Sequence, residues 1–192
     1  MSEEIVTDVL HGLATRLETA LAVAGLVCEV HRGSPVVRAG AQFNSAAEAA
    51  FLAPLIVILP GAAERTSAGR AEVYSVIDPS PDDAAQTRII WRRARVELAL
   101  ELFLYTPSKT AREPIARVVE SVLEPLELGE PRDLSLVLPS SYNALARCWV
   151  EGYETRDQEL RAEEIACALW RLRAAASLLE HADRIRITNS VE

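Results

Sequence analysis

Lysine is almost absent from this chain: of its 20 lysines and arginines, 19 are arginine and one is Lys109. Arginine forms flat, two-pronged bonds to carboxylates and is favoured at interfaces, although a genome-wide compositional bias is the simpler source of the excess. Aromatic residues make up only 5% of the 192 residues, so Leu, Val, Ile and Ala must fill the core. Cys28, Cys148 and Cys167 are odd in number and lack C-x-x-C spacing, which reads as reduced, buried small residues rather than a disulfide framework. His11, His31 and His181 do not stand at metal-ligand spacing from a Cys, Asp or Glu. There is no G-x-S-x-G and no phosphate-cradling glycine loop. Gly61 follows an apolar run and could bring a backbone amide to a ligand, but Pro60-Gly61 reads more simply as a turn. No apolar run approaches the roughly 20 residues needed to cross a bilayer, and Ser2-Glu3-Glu4 is acidic where a signal peptide would be basic. These absences predict no catalytic set, no cofactor and no metal. A net charge of -8 argues against a nucleic-acid binder held by phosphate contacts; it suits a soluble protein, or a surface past which DNA slides without sticking.

What is present is a 49% hydrophobic chain, long enough for one domain over residues 1–192, with one stretch that dominates it. From Ile89 to Thr106 apolar and polar residues alternate. Ile90, Ala94, Val96, Leu98, Leu100, Leu102 and Leu104 form one face, with Arg92 intruding; Trp91, Arg93, Arg95, Glu97, Glu101, Phe103 and Tyr105 form the other. This is the pattern of a strand with one buried face. At about 3.3 Å per residue it would run nearly 60 Å, about three times a usual strand, so its charged end should project as half of a ribbon. The same residues are good helix formers, but the unbroken alternation and the stop at Thr106-Pro107-Ser108 favour a strand.

Around it the chain alternates in type. Ile5 to Ala24 carries a helical apolar stripe capped by Gly25. Leu26 to Arg32 reads as a short strand, and Ser45 to Leu52 as a helical turn. Leu55 to Leu59 is a continuous apolar run, hence a strand covered on both faces. Residues 62–88 read as a mobile loop or hairpin region, with a weak strand over Glu72–Ile77 and an acidic, proline-rich turn at 78–83. Thr110-x-x-Glu113 predicts a capping box for a helix running to Leu126, with Pro114 in its first turn. Leu134, Leu136 and Leu138 alternate in a short strand. Ala144–Thr155 and Glu163–Ala174 read as a strand pair, yet the alanine-rich second segment equally fits a helix, which its propensity favours. Residues 175–192 read as a C-terminal extension.

The charged positions fit contacts better than chemistry. Glu97 and Glu101 share a strand face, a spacing that could serve acid–base work, but Arg93 and Arg95 beside them point to an ion-pair ladder. Arg92, Arg93 and Arg95 form a basic cluster in an acidic chain: a solvated edge that discourages strand pairing, or a patch for an acidic neighbouring subunit.

The order of parts resembles a known family. Ala53-Pro54-Leu55-Ile56-Val57-Ile58-Leu59-Pro60-Gly61 is followed by a long loop, then Trp91-Arg92-Arg93-Ala94-Arg95-Val96-Glu97-Leu98, Phe103-Leu104-Tyr105-Thr106-Pro107, a helix, and a closing pair holding Gly152-Tyr153-Glu154-Thr155-Arg156-Asp157. Over roughly residues 3–174 this is similar to the tail terminator proteins of long-tailed bacteriophages, of the lambda and Mu-like types. The resemblance implies an α/β (α+β) fold, with a mixed, mainly antiparallel sheet, two or three helices packed against it and a projecting β-ribbon. It implies that the segment from Glu163 is a strand. It implies a non-enzymatic virion protein, made in the host cytoplasm, whose six-membered ring caps the tail tube, stops its polymerisation and joins it to the neck or head connector. Its partners would be copies of itself, the tube protein and the connector, with DNA passing through without specific binding. The subunit or tube interface would draw on Arg92, Arg93, Arg95, Glu97, Glu101, Arg156 and Asp157. Two other readings stay open: another neck or head-closure adaptor, and a small α/β enzyme or ligand-binding domain.

Overall fold

A computed structural model describes residues 2–33, 37–38, 41–42, 53–124, 134–138, 144–160 and 163–185; the expected helical turn at Ser45–Leu52 lies outside them. The elements in order are helix α1 (Ser2–Val23) and strands β1 (Glu29–Arg32), β2 (Val37–Arg38), β3 (Ala41–Gln42), β4 (Leu55–Ile77) and β5 (Gln86–Thr106). Helix α2 (Lys109–Leu123) and strands β6 (Leu134–Leu138), β7 (Ala144–Thr155), β8 (Gln158–Leu160) and β9 (Glu163–Ile185) follow. The main sheet has the order β1-β4-β5-β9-β7-β6, with β8 pairing the start of β9. Only β1 and β4 run parallel; the other neighbours are antiparallel. This is the expected α+β architecture: a mixed, mainly antiparallel sheet with helices against it.

The apolar periods explain the layers. Ile5, Val9, Leu13, Leu17 and Leu21 of α1 are buried, as are Ile115, Val119 and Leu123 of α2. Both stripes meet one sheet face, formed by Ile56, Ile58, Val96 to Leu104 at every second residue, Cys148, Ala168, Trp170, Leu172, Ala174 and Ala176. Each fully buried Leu or Ile contributes about 1.5–3 kcal/mol, so this layer sets the fold. Leu55 and Val57 face the other way and are also buried, with Leu59 and Tyr105 against them, so the run from Leu55 is covered on both faces as its composition predicts. Gly25 closes α1 at φ +68, where Leu26 N–H reaches the Leu21 carbonyl at 3.0 Å. The cap of α2 lies before the predicted box: Ser108 Oγ accepts from Ala111 N–H at 3.2 Å; the helix ends at Leu123, and residues 125–126 of the expected helix lie outside the described residues.

Three expectations are corrected. First, residues 62–71 are not loop: β4 runs from Leu55 through them and through the expected Glu72–Ile77 strand, and only 78–85 form the turn to β5. Its pairing with β5 shifts register between Pro60 and Ala63, Ser67 and Glu72, and Val73 and Ser75; these bulges disrupt the alternation that would have marked a strand. Gly61 belongs to the first bulge, where a Cβ would sit 3.2 Å from the Ala99 carbonyl oxygen, so it is a close-approach residue rather than a turn. Second, the extension expected from 175 is strand to Ile185, because residues 174–185 pair with β5 down to Gln86. The same pairing, with β7 on the other side, holds the alanine-rich 163–174 segment extended against its helical propensity. Third, Arg92 does not intrude on the apolar face. Ala94 pairs Leu178 and Arg92 pairs Leu179, so Arg93 is an extra residue and β5 turns over at that point. Residues 87, 89 and 91 thereby join the face of Ala94.

Candidate protein–protein interface

Three strands outrun the rest of the molecule. The parallel partner β1 leaves β4 after Ile58, and β7 leaves β9 after Ala176. The helix-covered core includes no described residue of β5 before Val96 or of β9 after Ala176. Beyond these points, among the described residues, β4, β5 and β9 continue without a further strand as a ribbon. Its Gln86–Arg95 stretch spans about 30 Å at 3.3 Å per residue.

The far end of the ribbon is tied down by charge. Arg88 lies opposite Asp183 on β9 and donates from Nε and Nη2 to its two carboxylate oxygens, both at 2.9 Å. Arg88 also pairs with Asp82 of the turn. Ser80, buried, donates from Oγ to Asp183 at 3.0 Å, and its N–H meets the Gln86 carbonyl at 2.7 Å. Hydrogen bonds to Asp183 and then Asp82 raise the Arg88 pKa further above the working range, so the clamp cation is permanent. The acidic turn expected to be mobile is thus folded onto its own strands. The opposite face of the tip carries an apolar row flanked on β9 by Glu180 and Arg184: Val73 pairs Trp91, and Val76 pairs Ile89, which pairs Ala182 on its other side. Val73 and Val76 are 56% and 57% exposed; Ile185, at the strand end on the clamp face, is 84% exposed. Exposed apolar residues grouped on a sheet face outside the core make this face a candidate for contact.

Nearer the core, the sheet face away from the helices carries an ion-pair ladder. Arg95 meets Glu97 at 3.1 Å, Glu97 meets Arg173 at 3.7 Å, and Arg173 meets Glu151 at 2.7 Å. Glu154 accepts Arg171 at 2.7 Å and Arg156 at 2.5 Å. Hydrogen bonding to Glu151 is the main cause of the raised Arg173 pKa. These side chains are roughly one-third to one-half exposed, so each pair contributes about 0–1 kcal/mol.

The seven anticipated interface residues therefore separate. Arg95, Glu97 and Glu101 share the open sheet face, Glu101 lying between Leu59 and Arg171. Arg92 is half-buried on the ribbon, beyond the bulge at Arg93. Arg156 and Asp157 lie at the other end of the sheet, and Asp157 is engaged internally. Its carboxylate accepts from Arg112 at 2.5 Å, from Lys109 at 3.3 Å and from Cys167 N–H at 3.2 Å. Burial alone would raise its pKa, but the Cys167 N–H and the Arg112 and Lys109 cations outweigh that and lower it. Arg171, Arg173, Glu151 and Glu154 were not anticipated; Arg171 and Arg173 alternate along β9, but Glu151 is an extra residue in a bulge between Val150 and Gly152, so Glu151 and Glu154 show no strand period in the sequence.

The described surface grooves are shallow: one runs along Glu120, Leu123, Val150, Tyr153 and Trp170, another between α1 and α2 beside Thr15, Thr19 and Val122. Among the described residues, no group of three His, Cys, Asp or Glu is placed to hold a metal ion. No described helix is long and apolar enough to cross a membrane.

No family model matches the chain, and no curated protein matches it. Among solved structures it is similar to a chain of the virion of a native gene transfer agent (GTA) particle, with a TM-score of 0.38 and 11% identity over 90% of this chain and 96% of that one.

Proposed function

We propose that this protein is a structural subunit of a phage-type tail. It forms a ring, hexameric by the resemblance to tail terminators, that caps the tail tube, stops its growth and joins it to the neck or head connector. The observation that carries this is the three-stranded ribbon, stiffened by the Arg88 clamp and bearing Val73, Val76 and Trp91 outside the core. A long sheet surface with apolar residues exposed outside the core supports recognition of other proteins. The order of elements supports the same reading. An acidic ring, at -8 per subunit, would repel the DNA that passes through it. The test is electron microscopy of the purified protein alone and mixed with tail tubes. Rings seated at tube ends, with tube length held constant, are expected; a protein that stays off the tubes and leaves their growth unchanged overturns the proposal.

A further inference from the structure

The last part of β9 is complementary to itself. Among the described residues no strand pairs with its outer edge from Ser177 to Ile185. Its residues run without a bulge against β5, since the extra residue there belongs to β5. When this edge is laid antiparallel to the same edge of a second copy, with Ala182 facing its own counterpart, Glu180 falls opposite Arg184, and Leu179 opposite Ile185. Both sets occur twice, once on each side of the twofold axis. Glu180 and Arg184 are exposed and Ile185 is 84% exposed, so a neighbour can reach both the charges and the apolar end. The faces agree as well. Val76, Ile89 and Ala182 stand in one row, and the twofold continues that row through the second copy's Ala182, Ile89 and Val76 across six strands. The other ribbon edge does not offer this, because bulges at 68–71 and at Tyr74 interrupt β4 and make it a poor template.

We infer that two copies of this chain pair through Ser177–Ile185 as an isologous antiparallel dimer, the state of the protein before assembly. Such a contact joins equivalent surfaces and closes on itself, whereas a ring needs head-to-tail contacts. The dimer therefore covers the straight edge of the ribbon until assembly displaces it. This holds whether or not the ring reading is right.

Sedimentation velocity on the full chain over a concentration series is expected to show a monomer–dimer equilibrium. Arg184→Glu places a second carboxylate opposite Glu180 at both ends of the interface, and the repulsion raises the dimer Kd about tenfold or more. Adding Glu180→Arg to it restores wild-type affinity, which a merely structural effect would not do. In a Cys28→Ser background, Ala182→Cys faces itself at about 4.5–5.5 Å between Cα atoms, within disulfide reach, and mild oxidation yields a covalent dimer. A wild type that is monomeric throughout the series overturns the inference. So does a dimer that is indifferent to Arg184→Glu, or an Ala182→Cys protein that stays monomeric under oxidation. Rings on tube ends without any dimer would sink this contact alone; a dimer that ignores tubes would sink only the ring.

Discussion

Asp157 looks like surface charge in the sequence, but the fold consumes it. It ties the start of α2 to the end of β7 through Arg112, Lys109 and the Cys167 amide. Asp157→Asn is expected to cost about 1–2 kcal/mol at neutral pH, from hydrogen bonds to a charged group. That is a fall of several degrees in Tm for a chain of this size. Because the folded pKa is depressed, the stabilisation is complete above the unfolded value of about 3.9 and lost as pH falls through the lower folded one. Thermal melts of both proteins should therefore draw together as pH falls below about 4 and meet once it is under the lowered folded value; a gap that does not narrow on this descent would assign the effect to packing. The neighbouring Cys167 behaves oppositely: burial, then Asp157, pushes its thiol up to about 11. Cys148 and Cys167 are buried and Cys28 is half-exposed. Iodoacetamide at pH 8 should label the native protein at Cys28 alone and the denatured protein at all three sites, as counted by mass spectrometry.

The elements that were legible in the sequence are those whose period is uninterrupted. The stripe from Ile5 to Leu21, the run from Leu55 and the alternation from Ala94 to Leu104 each keep one period, and each is buried as that period requires. Where the period breaks, reading failed for a physical reason. β4 beyond Pro60 is bulged three times, and β5 turns over at Arg93. The strand state of β9 is set by pairing with β5, which is distant in sequence, and with β7, rather than by its alanines. The candidate interface was legible as a projecting ribbon with an ion-pair ladder, but not as the third strand that completes both. The clamp between Arg88 and Asp183 was invisible because its partners lie at the far ends of two misread segments. Arg88→Ala should leave the core untouched and the tip loose. Amide exchange in 78–88 and 180–185 is expected to accelerate by about tenfold or more, with Tm changed by less than about 3 °C, because the clamp lies outside the buried layer that carries global stability. Uniform acceleration across the chain would mean instead that the tip is part of the cooperative core.

At the scale of the molecule, stability and the proposed contact belong to different parts. The helices and the sheet to about Val96 form the buried layer, while the ribbon beyond it exposes Val73 and Val76 and is held by its own ladder and clamp. Val73→Lys with Val76→Lys alters two side chains that already face solvent, so each substitution should stay within about 0.5 kcal/mol, a Tm shift within about 3 °C for the pair. The same pair places two charges on each subunit's contact face, where desolvation penalises every copy in an assembly. Calorimetry on the variant should match the wild type, while electron microscopy with tail tubes should show bare tube ends and continued tube growth. Normal capping by the doubly charged variant would move the contact away from this ribbon face, towards the open face that carries Arg95, Glu97 and Arg173.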